Sequence, residues 1–144
     1  MKYDKADIEK MLPHSGAMIL LDSVLAFDHA RILCSTSSHL DSDNPLLCEG
    51  ELSIFTGIEY AAQAMAVHNY LNSQQGSDQG AARQGVVAVA SKLEASIERL
   101  DTIGQVVNIE VNTIDHTGDS SLYDFNLQAA SKELISGRLL VMLT

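Results

Sequence analysis

Tryptophan is missing from this chain altogether, and only seven of its 144 residues are Phe or Tyr. Its interior must therefore be filled by Ala, Val, Ile, Leu and Met, which supply most of the 46% hydrophobic content. Positive charge is also scarce: nine Lys and Arg stand against nineteen Asp and Glu, for a formal net charge of -10. A nucleic-acid binder must neutralise phosphates with clustered cations, so that class is excluded as an expectation. The two cysteines, Cys34 and Cys48, form no metal or redox spacing. Cys34 lies in an apolar-alternating run and reads as a small buried thiol. No pair of histidines stands at ligand spacing with a carboxylate, so neither a metal nor another cofactor is called for. Nor does any apolar run reach the roughly eighteen residues that a membrane span requires. The opening Met1-Lys2-Tyr3-Asp4-Lys5 is charged rather than signal-like, and a cytoplasmic protein is expected.

What is present suits one domain over residues 1–144. Asp4 to Met11 reads as a short helix with Asp4 as N-cap, ended by Pro13. Ala17 to Phe27 is an apolar run with the look of a buried strand. Arg31 to Ser37 can pair back with it across Asp28-His29-Ala30. The long helix is expected from about Ser53 to Leu71; four alanines favour it, and small or apolar residues surround nearly its whole circumference, which marks a buried helix. Asn72 to Gln84 reads as a flexible loop. After it come strands over Gln84–Ala90, with a possible continuation at Ala95–Leu100, then Gln105–Ile114, Leu122–Ala129 and Leu134–Leu143. Hairpin turns are expected at Asp115–Ser120 and Ala130–Glu133. Helix, two strands, one long buried helix and a run of antiparallel strands make an α+β chain. The arrangement that buries such a helix is the hotdog fold, a curled antiparallel sheet wrapped around one long central helix, whose exposed edge can pair with a second subunit.

Two segments resemble the 3-hydroxyacyl-acyl carrier protein dehydratases. Leu12-Pro13-His14-Ser15-Gly16-Ala17-Met18-Ile19-Leu20-Leu21-Asp22-Ser23-Val24 is similar to that family's opening L-P-H-R, with an apolar stretch ending in D-R-V. Gly57-Ile58-Glu59-Tyr60-Ala61-Ala62-Gln63-Ala64-Met65-Ala66 resembles its central helix, with the pattern E-x-x-A-Q. The likeness is greater to a divergent branch found in aryl polyene and related acyl-chain pathways, whose helix opens with G-I-E and continues into A-Q-A.

The resemblance implies removal of water from a 3-hydroxyacyl thioester, carried by an acyl carrier protein or coenzyme A. One group removes the α-proton and another protonates the departing hydroxyl. In that family a His of one subunit and an acid on the other subunit's helix do this together. Glu59 stands at the acid's position, near the positive end of the helix dipole. Among Ile58, Ala61 and Ala62 its setting looks apolar rather than solvated. At about 100° per residue Gln63 points near Glu59, with Ala62 and Ala66 on the same face. Gln63 is expected either to orient the carboxylate or a water or to serve as a structural residue, and the alanines to leave room for an acyl chain. Gly57 and Ile58 complete the expected substrate-binding set. His68, nine residues after Glu59, points to roughly the opposite side.

The chain departs from the family at two points. The family's catalytic His lies in G-H-F-P, about fourteen residues before the helix acid; Pro45 stands there. The helix-opening Pro-Gly is replaced by Ser53-Ile54, although a helix N-terminus still offers N–H donors to a thioester carbonyl. His14 is the nearest local substitute for the lost His, beside its ordinary reading as a structural residue; His39 is a more distant candidate. His29 and His116 read as solvated turn residues. Three readings follow: a dehydratase using Glu59 with a relocated or partner-supplied His, a hotdog thioesterase in which Glu59 activates water, or a catalytically silent acyl-binding subunit of a hetero-oligomer. Both homo- and hetero-oligomers of hotdog subunits fit. A carrier protein, itself acidic, would need a basic patch to dock on, for which Arg83, Lys92 and Arg99 are the candidates.

Overall fold

The computed structural model describes residues 2–13, 16–75 and 85–143, without the side chains of Gln75 and Leu143. Asp4 caps α1 (Lys5–Met11) through a reciprocal capping box: its carboxylate accepts the Asp7 N–H at 2.9 Å, and Asp7 accepts the Asp4 N–H at 3.1 Å. Six strands follow: β1 (Ser23–Phe27), β2 (Arg31–Thr36), β3 (Gly85–Ala95), β4 (Val107–Thr117), β5 (Ser120–Ala129) and β6 (Lys132–Leu143). They form one antiparallel sheet in the order β1-β2-β4-β5-β6-β3. One long helix, α2 (Gly57–Gln75), packs on its inner face, completing a hotdog fold.

The period-two pattern explains the sheet. Along β5, Ser121, Tyr123, Phe125, Leu127 and Ala129 are buried while the residues between them are half-exposed. Ile109, Leu127, Ile135 and Leu139 from the sheet share one core with Tyr60, Ala61, Ala64 and Val67 from α2. Each fully buried Leu or Ile contributes on the order of 2 kcal/mol. A methyl at Gly57 would lie 3.1 Å from both Leu127 Cδ2 and Ile135 Cγ2, so the glycine lets the helix start close to the sheet.

The sequence expectations differ from this fold at three places. The run from Ala17 to Phe27 is not one strand; a 3-10 turn occupies Gly16–Met18 and the sheet begins at Ser23. Between them the Leu20 peptide is satisfied by side chains instead of a ladder: Gln63 accepts its N–H, and the Thr36 and Ser38 hydroxyls donate to its carbonyl. The long helix begins four residues later than expected, because Ser53 caps a separate 3-10 turn (Ile54–Thr56), and it runs through 72–75, which read as loop; 76–84 of that loop lie outside the described residues. The 98–100 segment does not extend β3 but pairs with the chain entering the helix, Ile54 N–H to the Glu98 carbonyl at 2.9 Å and Leu100 N–H to the Leu52 carbonyl at 2.8 Å.

β3 forms one edge of the sheet and is almost wholly exposed, with Val86 and Val89 among its uncovered side chains. Its pairing with β6 slips between Ser91 and Glu94, where Lys92 has φ 52°. Gly137 makes room for that bulge: a Cβ there would come within 2.5 Å of Leu93 Cδ2 and 3.2 Å of the Ser91 carbonyl oxygen. No helix among the described residues is long and apolar enough to cross a membrane.

Candidate functional site

The sheet and the N-terminal segment cover α2 on every side but one. Glu59 and Ala66 are exposed and Ala62, Asn69 and Tyr70 half-buried, whereas Tyr60, Ala61, Gln63, Ala64, Met65, Val67 and His68 are buried. Positions 59, 62, 66 and 69 fall on one stripe of a 3.6-residue helix. This open stripe forms one wall of a groove of about 770 Å³. Met11, Pro13, Met18 and Leu20 line it on one side, Pro45 and Leu46 on another, and Val86, Val87, Tyr123 and Val141 from the sheet on a third. From Glu59 to Gln74 the helical wall runs about 22 Å at 1.5 Å per residue.

The structure thus brings Glu59, Ala62, Gln63 and Ala66 into one groove. Glu59, in the first turn of α2, is exposed in the single chain and its carboxylate has no hydrogen-bond partner among the described residues. The apolar setting expected for it is the groove it opens onto, not burial within this chain. Gln63 takes the structural one of its two expected roles. Its Oε1 accepts the Leu20 N–H at 2.9 Å and its Nε2 donates to the Met18 carbonyl at 2.7 Å, so its amide staples the helix to the 18–20 segment instead of turning toward Glu59. Gly57 faces Leu127 and Ile135, and its N–H is held by the carbonyls of Ile54 and Phe55; Ile58 packs half-buried against the core. Neither lines the groove.

No described histidine lines the groove, and His14 lies outside the described residues. Pro45, at the position where the dehydratases carry theirs, does line it. His39 is buried, its Nε2–H donating to the Ile103 carbonyl at 2.8 Å. His68 is buried on the far side of α2 from the stripe, with Nε2 2.7 Å from the Asp28 carbonyl oxygen, and burial pulls its pKa below the usual imidazole value. Cys34 is fully buried, and that burial pushes its thiol up to about 12, an inert packing residue as the sequence suggested. Among the described residues no group of three or more His, Cys, Asp and Glu is placed to hold a metal.

Of the basic patch considered for Arg83, Lys92 and Arg99, one member is ion-paired within the chain. Arg99 is taken by Asp101 at 2.6 Å and Glu51 at 3.2 Å, and Arg83 lies outside the described residues. The Arg99 guanidinium holds the Asp101 carboxyl at about 2.

Sequence reasoning missed the distal wall. Asn69, Tyr70 and Gln74 continue the Glu59 stripe by helix phase and were legible in principle. Tyr123, Val141 and the β3 residues join it only through sheet pairing, which carries no local signal.

Comparison with known proteins places this geometry in context. A family model described as ApeP dehydratase, of the ApeP-like type, matches residues 6–144. A chain of the dehydratase heterocomplex ApeI:P from Xenorhabdus doucetiae is similar in fold, with a TM-score of 0.82 at 20% identity over 95% of this chain and 90% of that one. A thioesterase from Haemophilus influenzae aligns with a TM-score of 0.67 at 12% identity, over 100% of this chain and 92% of its own. A mutant thioesterase from Pseudomonas aeruginosa aligns with a TM-score of 0.63 at 15% identity, over 100% and 96%. A search of curated proteins finds no match.

Proposed function

The chain belongs to the ApeP-like dehydratase family, and from that premise we propose that it is the acid-bearing subunit of a two-subunit 3-hydroxyacyl thioester dehydratase serving aryl polyene-type acyl-chain synthesis. The observation that carries this reading is the composition of the groove: Glu59 opens onto it, alanines and apolar walls continue from it, and the histidine position is Pro45. One carboxylate cannot perform both proton transfers of a dehydration at once. The α-proton leaves to a base while its C–H electron pair becomes the new double bond. The C–O pair departs with the hydroxyl, which takes a proton from an acid and leaves as water. Glu59 supplies one of these groups, and a histidine from a second hotdog subunit supplies the other.

The exposed edge β3 supports such an assembly. An uncovered eleven-residue strand with Val86 and Val89 outward is a pairing template for another chain. Gly85, Val86 and Val87 of the same strand line the groove, so a subunit paired there stands beside the site. With Pro45 on its own loop, this chain completes a site only with its Glu59, and a hetero-pair holds one competent site instead of two. With Arg99 ion-paired, an acidic carrier protein docks on the partner subunit.

The test is mass spectrometry of a 3-hydroxyacyl-carrier protein incubated with this chain alone and with a dehydratase subunit that carries the G-H-F-P histidine. Loss of one water only in the mixture supports the two-subunit site. Release of free acid by this chain alone, from hydroxyacyl or saturated acyl carrier, replaces the reading with a thioesterase.

A further inference from the structure

A buried chain of hydroxyls and one amide crosses beneath the groove from wall to wall. Asn44 Nδ2 donates to the Tyr60 hydroxyl at 3.0 Å and to the Ser38 carbonyl at 2.9 Å. The Tyr60 and Ser38 hydroxyls meet at 2.9 Å, and Ser38 Oγ donates to the Leu20 carbonyl at 2.6 Å. At the other end Asn44 Oδ1 accepts the Leu46 N–H at 2.9 Å. Ser38, Asn44 and Tyr60 are each at most 6% exposed. The donors run one way, Asn44 to Tyr60 to Ser38 to Leu20, and each polar group is satisfied, the condition under which a buried network rigidifies its surroundings.

The position of this chain is more telling than its burial. Its two ends are Leu46 and Leu20, both groove-lining residues, and Pro45 stands between Asn44 and Leu46. Its middle is Tyr60, the residue after Glu59 on α2. On the same turn of α2, Gln63 holds the Leu20 N–H. The groove mouth is thereby fixed to the helix turn that bears the carboxylate on both of its walls.

We propose that Asn44 and Tyr60 are positioning residues of the groove: they hold the Pro45–Leu46 wall and the Leu20 wall at a set distance from the Glu59 turn, and acyl ligand affinity depends on that distance. The ligand part rests on the acyl-thioester reading above. A merely structural pair would lower stability without moving affinity when the fold is intact.

The experiment compares wild type, Tyr60→Phe, Asn44→Ala and Val67→Ala by two measurements. Val67 is a fully buried residue of the same helix that does not line the groove, and its truncation lowers stability without touching the network. Amide hydrogen exchange is read at Leu46 and Leu47, and affinity by calorimetric titration with a saturated acyl-coenzyme A. The expected result is faster exchange at Leu46 in Tyr60→Phe and Asn44→Ala. Affinity falls about five-fold or more in both, the scale of one net hydrogen bond, with Val67→Ala like wild type in both readouts. Unchanged Leu46 exchange in Tyr60→Phe overturns the positioning role, as does an equal loss of affinity in Val67→Ala. A wild-type chain that does not bind the acyl-coenzyme A removes the acyl-binding reading instead, and the exchange arm still decides whether the network holds the wall.

Discussion

Gln63 and Leu20 are joined by a buried hydrogen bond of 2.9 Å from the Leu20 N–H to the Gln63 side-chain oxygen. The other half of the same amide reaches the Met18 carbonyl at 2.7 Å. One side chain thus serves two peptide groups, the Leu20 N–H and the Met18 carbonyl, that have no ladder partner.

Gln63→Leu therefore leaves a buried N–H and a carbonyl without their partner. At about 1–3 kcal/mol for each orphaned group, unfolding free energy falls by about 2–6 kcal/mol. Urea denaturation of the variant checks it; stability equal to wild type would mean that Gln63 does not carry the segment.

His68 gives a stability change with pH. Burial lowers its folded-state pKa below the ordinary imidazole value of about 6.5, so the folded protein binds a proton there less readily than the unfolded chain. Its contribution is complete above about pH 6.5 and is lost as the pH falls through the folded value. Thermal melts from pH 8 down to about 5 show a decline that His68→Gln, which keeps an amide donor toward the Asp28 carbonyl, lacks. Parallel profiles for the two proteins would contradict this.

Ala66 is exposed in the middle of the groove, so a larger side chain there meets the ligand before it meets the core. Ala66→Phe is expected to leave the melting temperature within a few degrees of wild type, as surface changes of about 0.5 kcal/mol do. Acyl ligand affinity should fall at least ten-fold as the groove fills. Calorimetric titration with a saturated acyl-coenzyme A reads it, and undiminished binding places the acyl chain elsewhere.

The helix and the hairpins were legible because each leaves a local signature. The alanine-rich stretch around Ala61 to Ala66 fits a slim buried helix, and the alternation through Leu122 to Ala129 fits a strand with one wet face. The partners of Gln63 were not legible, since helix phase gives a direction but not the distant peptide that will claim the amide. The same holds for Arg99, which is ion-paired by Asp101, whose carboxylate also accepts the Leu52 N–H of the chain that enters the helix. The Tyr60 hydroxyl carries no local signal of its partners; only the tertiary fold brings Asn44 and Ser38 to it. Wherever a polar side chain satisfies a peptide far along the chain, the pattern of the sequence fixes where it points and not what it meets.

The central claim, that Glu59 completes a dehydration site with a partner's histidine, is tested most directly by one comparison. A 3-hydroxyacyl-carrier protein is incubated with the mixed hotdog assembly containing either wild type or Glu59→Gln, and the acyl mass is read. Because Glu59 is exposed and without a hydrogen-bond partner among the described residues, Glu59→Gln should fold with wild-type stability. The account predicts loss of one water with wild type and none with Glu59→Gln. Dehydration at the wild-type rate by a fully folded Glu59→Gln assembly would contradict it.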